Sequence, residues 1–320
     1  MKGPTPRYSA LALVKARFQG AGFWKPLWTG RTLKDGYDVV VVGAGGHGLS
    51  TAYHLVRDHG LKVAVLERRL VGYGNVGRNT TIVRSNYLLP ENHYFYEDSL
   101  RRWETLSRDL NYNVMYSPRG VVDICLSDGD MITAARRGNA MRLAGIDSEL
   151  MELEALERFA PELAPRRDRR FPIVGALVQR RGGTVRHDAV AWGYARAATA
   201  FGADIIENCE VTGMRIDSSG AIEGIETTRG YIRSKKVGVV AAGNTSVVMG
   251  YAGIQLPLES YPLQALVSEP VKPIMPCVVM SNTIHAYMSQ SDKGELVIGA
   301  GIDSYLGYGQ RGSPHVIEHT

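Results

Sequence analysis

The sequence predicts an α/β protein in which a Rossmann-type βαβ domain is interleaved with an α+β domain of mixed or antiparallel sheet. Three observations carry this. The β-branched run Val39–Val42 leads into the turn Gly43-Ala-Gly-Gly-His-Gly48. An apolar segment, Val63–Leu66, then ends in Glu67, nineteen residues after Gly48. Much later another apolar run, Lys236–Ala241, ends in a second small-residue turn, Ala242-Gly243-Asn244. A strand, a glycine turn, a helix and a second strand ending in an acid form the unit that holds the ADP half of a dinucleotide. Because its layers recur at both ends of an intervening segment, two interleaved domains are the economical reading.

The elements follow in order. Residues 1–36 are expected as an extended arm, with Phe23, Trp24 and Trp28 available to pack on another surface. The crossover helix runs from Gly46 to about His59. Tyr96, Leu100, Trp103 and Leu106 recur at helical spacing within Asn92–Leu110, which predicts an amphipathic helix there. Gly120–Leu126 reads as a strand, and Asp130–Leu143 as a helix ended by Gly145. After Gly182-Gly183 come a helix over Ala189–Phe201 and strands over Asp204–Asn208 and Glu210–Ile216. Ala221–Thr228 and Tyr231–Ser234 form a hairpin around Arg229-Gly230, and Lys236–Ala241 is a buried strand. Ile284–Ser289 alternates as a strand, with His285 and Tyr287 on one face. This assigns 37–110 and 182–258 to the nucleotide-binding domain, and 111–181 and 259–320 to the second domain.

Composition excludes several classes. At 320 residues, 44% hydrophobic and 22% charged, the chain buries a large core and is not disordered. The net charge of +5 does not imply nucleic acid, because the basic residues are dispersed. The exception is Arg166-Arg167-Asp168-Arg169-Arg170, in a loop after Pro161 and Pro165, which reads as solvated surface or a contact for an acidic protein. The three cysteines, Cys125, Cys209 and Cys277, lack the spacing of a disulfide framework or a metal site and suit a reducing cytoplasm. No apolar stretch is long enough to span a membrane, and Ala10–Val14 is too short for a signal sequence.

Each glycine of the first turn has its own task. Gly43 permits the sharp turn, Gly45 lets backbone approach a pyrophosphate, and Gly48 lets the helix lie close to the strand. The amides of Gly46, His47 and Gly48 at the helix N-terminus then favour a diphosphate. Glu67 is placed to accept both ribose hydroxyls and would repel a ribose phosphate, so FAD or NAD fits better than NADP. Two further stretches favour a flavin. The first is the second glycine loop, Gly72–Arg84, which offers Asn75, Arg78, Asn79, Thr80 and Thr81 beside a flat ring system. Val211 and Gly243 are the remaining candidate FAD contacts. The second stretch is Arg180–Arg196, where Asp188 is a good N-cap. It places His187 just before a helix N-terminus with Arg186 beside it, and both positive influences favour a neutral, nucleophilic imidazole.

The segments Tyr37–Gly48, Gly77–Tyr87, Asp109–Met115, Arg186–Trp192, Pro262–Pro270 and Ser289–Gly294 together resemble the beta subunits of heterotetrameric bacterial sarcosine oxidases, part of the D-amino-acid-oxidase-like group. The resemblance runs from about Arg7 onward. It implies noncovalent FAD on the glycine fingerprint and FMN attached covalently to His187, with Arg186 beside it. It also implies oxidation of sarcosine or a similar N-methyl amino acid. Electrons then pass from FAD to FMN and on to oxygen, and alpha, gamma and delta subunits complete the assembly, with NAD and tetrahydrofolate on a partner subunit. Arg84 is the expected partner of the substrate carboxylate, with Tyr287 and His285 as further candidates.

Departures from the family matter too. The family continues beyond His319-Thr320 through a glycine-rich segment carrying a lysine near flavin and substrate, so this chain is expected to be truncated. Single-subunit relatives place an arginine where Thr81 stands and a lysine near Val297. Two alternatives remain at this stage: an amine or hydroxy-acid dehydrogenase with FAD alone, and a noncatalytic dinucleotide-binding subunit.

Overall fold

The computed structural model describes residues 10–19, 32–163, 170–309 and 312–320. Phe23, Trp24, Trp28 and most of the arginine run lie outside them. The chain divides into two compact units.

The first unit comprises Met1–Arg78, Leu110–Asn113 and His187–Glu259. At its centre is a parallel sheet in the order Val237–Val239, Val39–Val42, Val63–Leu66, Asp204–Ile206. Every residue of Val39–Val42 and Val63–Leu66 is buried, which is why both read as continuous apolar runs rather than alternating ones. The crossover helix Gly46–His59 packs on helix His187–Ala200. It ends at Gly60, whose φ of 63° brings its N–H to the carbonyls of Leu55 and Val56, a left-handed cap that glycine takes without strain. A second sheet, in the order Gly36–Tyr37, Gly230–Ser234, Ile222–Thr227, Val211–Ile216, shares a core with the first through Tyr37, Val40, Leu66, Val211, Ile225 and Ile232.

Two expectations are corrected here. Ala10–Gln19 is a helix, not extended arm, in keeping with its alanines and leucines. The strand expected over Lys236–Ala241 is confined to Val237–Val239 and is half-buried, because it forms the edge of its sheet.

The second unit comprises Asn79–Asp109, Val114–Arg186 and Ser260–Thr320. Its seven-stranded mixed sheet runs Leu263–Pro270, Glu295–Ile302, Ala286–Gln290, Val278–Ser281, Val121–Cys125, Gly175–Gln179, Glu149–Glu152. Helix Asp128–Leu143 covers one face, packing Ala134 and Met141 with Cys125 and Leu177. On the other face Leu156 of helix Leu153–Phe159 packs with Val122, Ala176 and Val178. The first of these helices is capped by Ser127, whose side chain accepts from the Asp130 amide, while Asp130 accepts in turn from the Leu126 amide just before the cap. Residues 79–109, expected with the nucleotide-binding half, group with this unit. Strand Ile82–Val83 pairs with Gly183–Thr184, and Ser85 is bonded to Gln179.

Candidate functional site

In the first unit the residues of the glycine turn divide as their spacing predicts. Gly43 has φ +112°, and a Cβ there would stand 2.4 Å from the Val240 carbonyl oxygen. A Cβ on Gly48 would stand 1.9 Å from the Gly43 oxygen, whereas one on Gly45 would meet nothing within 4 Å. Two glycines are therefore required by protein packing, and the third faces open space. Gly45 is also the residue before helix Gly46–His59, and no side chain caps that helix, so the Gly46, His47 and Gly48 amides point at a site suited to an anion.

Glu67 lies beside this turn. One of its oxygens accepts the Ala44 N–H at 3.0 Å and the other the Arg69 N–H at 2.9 Å, leaving each oxygen a lone pair for a ribose hydroxyl. The turn Ala242–Asn244 follows strand Val237–Val239, which pairs with Val39–Val42. Gly243 therefore sits at the same carboxyl edge of the sheet as Gly43, where such sheets bind their ligands. The Gly72 amide bonds the Ala44 carbonyl at 3.1 Å, which ties the second glycine loop to the first. Asn75 and Arg78 are exposed on a turn of 3₁₀ helix, with Arg78 over the Tyr73 ring. Val211 places its side chain in the core, so only its backbone is available to a ligand.

His187 is half-buried and begins helix His187–Ala200. Its ring makes no hydrogen bond among the described residues. Asp188, expected as the N-cap, lies inside the first turn and accepts from the Ala189 amide at 2.7 Å. A carboxylate there complements the helix dipole just as a cap would.

In the second unit the loop after Thr81 carries Arg84. Thr81 has φ 63°, a strained value for a β-branched residue. It is held there by its amide bonding Asn79 Oδ1 at 2.7 Å and its carbonyl accepting from the Val185 amide at 3.0 Å. Thr80 is half-buried beside it. Arg84 Nη1 donates to the Asn86 carbonyl and to Asn86 Oδ1, both at 3.0 Å. The guanidinium lies 4.1 Å above the Tyr87 ring, which in turn stacks on Tyr96 at 3.8 Å. Nε and Nη2 of Arg84 make no hydrogen bond among the described residues, and no carboxylate pairs with it there. Burial weakens its hold on the proton, with Tyr87 and Asp123 opposing the effect and Arg137 adding to it.

A buried network fixes the next residue. The Ser85 amide donates to Gln179 Oε1, Gln179 Nε2 donates to Ser85 Oγ, and Ser85 Oγ donates to Glu97. Glu97 is itself paired with Arg181 at 2.6 Å.

Tyr287 is half-buried in strand Ala286–Gln290, its ring lying across Gly299, where a Cβ would come within 2.1 Å of it. His285 is not on that strand. It is exposed, with φ 51°, in the turn before it, so the expectation that it shares a face with Tyr287 is overturned. Arg186 is paired with Asp292 at 3.0 Å. Sequence reasoning missed Asp123, which is buried and bonded to Arg137 at 3.2 Å and to Asn282. An acid within the apolar run Val121–Cys125 was the available signal.

Residues 38–319 match the model of the FAD dependent oxidoreductase family. The chain belongs to that family. Among its relatives, this oxidoreductase is 53% identical over 315 residues to sarcosine oxidase subunit beta of Rhizobium meliloti, an alignment covering 98% of this chain and 75% of that protein. It is 48% identical to the subunit of the same name from Rhodobacter capsulatus, covering 98% and 76%. The crystal structure of L-proline dehydrogenase from P. horikoshii superposes with a TM-score of 0.82 at 22% identity, covering 90% of this chain and 75% of that one; this likeness bears on the fold alone. Among the described residues no cluster suits a metal ion, and no helix is long and apolar enough to cross a membrane.

Proposed function

We propose that this oxidoreductase is the flavin-bearing subunit of a sarcosine oxidase. It would convert sarcosine or a similar N-methyl amino acid, with oxygen and water, to glycine, formaldehyde and hydrogen peroxide, or to methylene-tetrahydrofolate where a partner subunit supplies the folate. The observation that carries the substrate reading is Arg84, a half-buried guanidinium with no carboxylate partner among the described residues and with its Nε–Nη2 edge unengaged there. That edge is the fork that grips a carboxylate through two parallel hydrogen bonds. Tyr87 beneath the guanidinium fixes its plane, and Tyr287 is the further candidate for the same carboxylate.

Gly43, Gly45, Gly46, His47, Gly48 and Glu67 would hold the ADP half of FAD, with Gly243 and the Val211 backbone near it and Asn75, Arg78, Asn79, Thr80 and Thr81 toward the ring. FAD supplies a two-electron acceptor for the C–N bond, and FMN joined to His187 would pass the electrons to oxygen. The half-buried ring of His187, without a hydrogen bond among the described residues, supports that attachment, with Arg186 beside it. Alpha, gamma and delta partners, NAD on a partner subunit and a cytoplasmic location complete the reading; the free thiols of Cys125, Cys209 and Cys277 suit such a compartment.

Acid precipitation of the full-length assembly tests the flavin assignment. Yellow colour stays in the pellet for the native protein and leaves it for His187→Ala. Calorimetric titration with acetate tests the substrate assignment, with Arg84→Ala losing at least tenfold in affinity. Colour absent from the native pellet, or acetate bound as well without Arg84, would overturn the respective assignment.

A further inference from the structure

Arg84 is held from one side, and by one residue. Its Nη1 donates to the Asn86 carbonyl and to Asn86 Oδ1, both at 3.0 Å, and Asn86 is 2% exposed. A terminal guanidinium nitrogen carries two hydrogens, so the two oxygens of Asn86 occupy Nη1 and turn the Nε–Nη2 edge away from it. Asn86 is itself fixed by its neighbours. The Ser85 amide before it is bonded to Gln179 Oε1 at 2.9 Å. The Tyr87 amide after it returns to the Ser85 carbonyl at 2.8 Å, and the Tyr87 carbonyl meets His93 Nε2 at 3.0 Å.

An aspartate would fill the same space. Asn86 Nδ2 makes no hydrogen bond among the described residues, so an oxygen in its place would break no contact there and would add one negative charge. That charge would form an ion pair with Arg84 and relieve a half-buried guanidinium that has no acid within ion-pair distance among the described residues. The same pair would compete with any carboxylate arriving from solution. An amide orients the guanidinium without neutralising it.

We infer that Asn86 is a positioning residue whose neutral side chain reserves the Nε–Nη2 edge of Arg84 for the substrate carboxylate, and that the fold is less stable for it. The inference rests on the proposed role of Arg84 in binding that carboxylate. Stability and carboxylate affinity are therefore opposed at position 86, as they are wherever a site keeps a group unsatisfied for its ligand.

Calorimetric titration of the flavin-loaded, full-length assembly with acetate, together with its melting temperature, tests this. Asn86→Asp should lower acetate affinity at least tenfold while melting no earlier than the native protein. Asn86→Ala keeps the backbone acceptor and adds no charge, so it should bind acetate more tightly than Asn86→Asp although it melts earlier. A merely structural side chain would order both measurements alike, with the isosteric Asn86→Asp nearer to native in each. The inference falls if Asn86→Asp binds acetate within threefold of native, binds it better than Asn86→Ala, or melts earlier than Asn86→Ala. If Arg84→Ala binds acetate like the native protein, the carboxylate role of Arg84 falls instead. Loss in Arg84→Ala with native affinity in Asn86→Asp overturns the inference alone.

Discussion

Gly45 and Gly48 are three residues apart in one turn, yet alanine at the two positions should have opposite consequences. At Gly48 the added Cβ would stand 1.9 Å from the Gly43 oxygen and 3.4 Å from Val41 Cγ1. A carbon and a carbonyl oxygen ordinarily approach no closer than about 3.3 Å, so helix Gly46–His59 must withdraw by more than an ångström from a strand buried along its whole length. Overpacking of this kind costs about 3 kcal/mol, or about 4–5 °C in melting temperature for a protein of this size. At Gly45 the backbone is extended, with φ −82°, and a Cβ meets nothing. Flavin-stripped Gly45→Ala should therefore melt within about 1 °C of native, since surface changes away from packed contacts have little effect. The same methyl group would occupy the space a pyrophosphate needs, so FAD retention in equilibrium dialysis should fall at least tenfold. Gly45→Ala that binds FAD normally, or melts as early as Gly48→Ala, would refute this division of labour.

Two other perturbations reach different parts of the molecule. Glu97→Gln removes the charge from a carboxylate 3% exposed that pairs with Arg181 and accepts from Ser85. Breaking a buried pair costs about 3 kcal/mol, against less than about 1 kcal/mol for the more exposed Glu104→Gln; equal midpoint shifts in urea would count against a buried network holding Ser85. Burial pushes the thiols of Cys125 and Cys277 up to about 12 and about 11, so less than about one in a hundred is thiolate at pH 8. Alkylation by iodoacetamide should be at least a hundredfold slower in the native than in the unfolded protein. It should also keep rising tenfold per pH unit through pH 9, where an ordinary thiol levels off. Rapid native labelling at pH 8 would contradict the burial.

The βαβ unit was legible because everything that defines it is local: a buried run, three glycines and an acid at fixed spacing. Helix Gly46–His59 begins and ends where the sequence places it. The seven-stranded sheet was much less legible. Gly175–Gln179 is buried throughout, and a short, fully buried strand has no alternation to mark it. His285 shows the converse failure. Its alternation with Tyr287 mimics a strand face, but the turn spanning Asn282–His285 takes it out of register. Asp123 stood out only as an acid within an apolar run, and its partner Asn282, 159 residues away, had no local signal. No local pattern encodes a contact that only the order of strands creates.

Arg84 differs from two other arginines of its unit, Arg181 and Arg137, in having no acid beside it. Arg181 is met by Glu97, Glu104 and Asp147, and Arg137 by Asp123. Arg84 has an amide, a carbonyl and an aromatic face. These satisfy one nitrogen and orient the plane, but none carries an opposing formal charge. Withdrawing a guanidinium from water without a counter-ion is unfavourable by several kcal/mol, and a neighbouring acid would relieve it at the loss of the free edge. Retaining the free edge, with Ser85 beside it locked by Gln179 and Glu97, is what the proposed carboxylate-binding role of Arg84 requires. The local strain at Thr81, three residues earlier, belongs to the same logic: the loop is held in one shape by its surroundings rather than by its own preference.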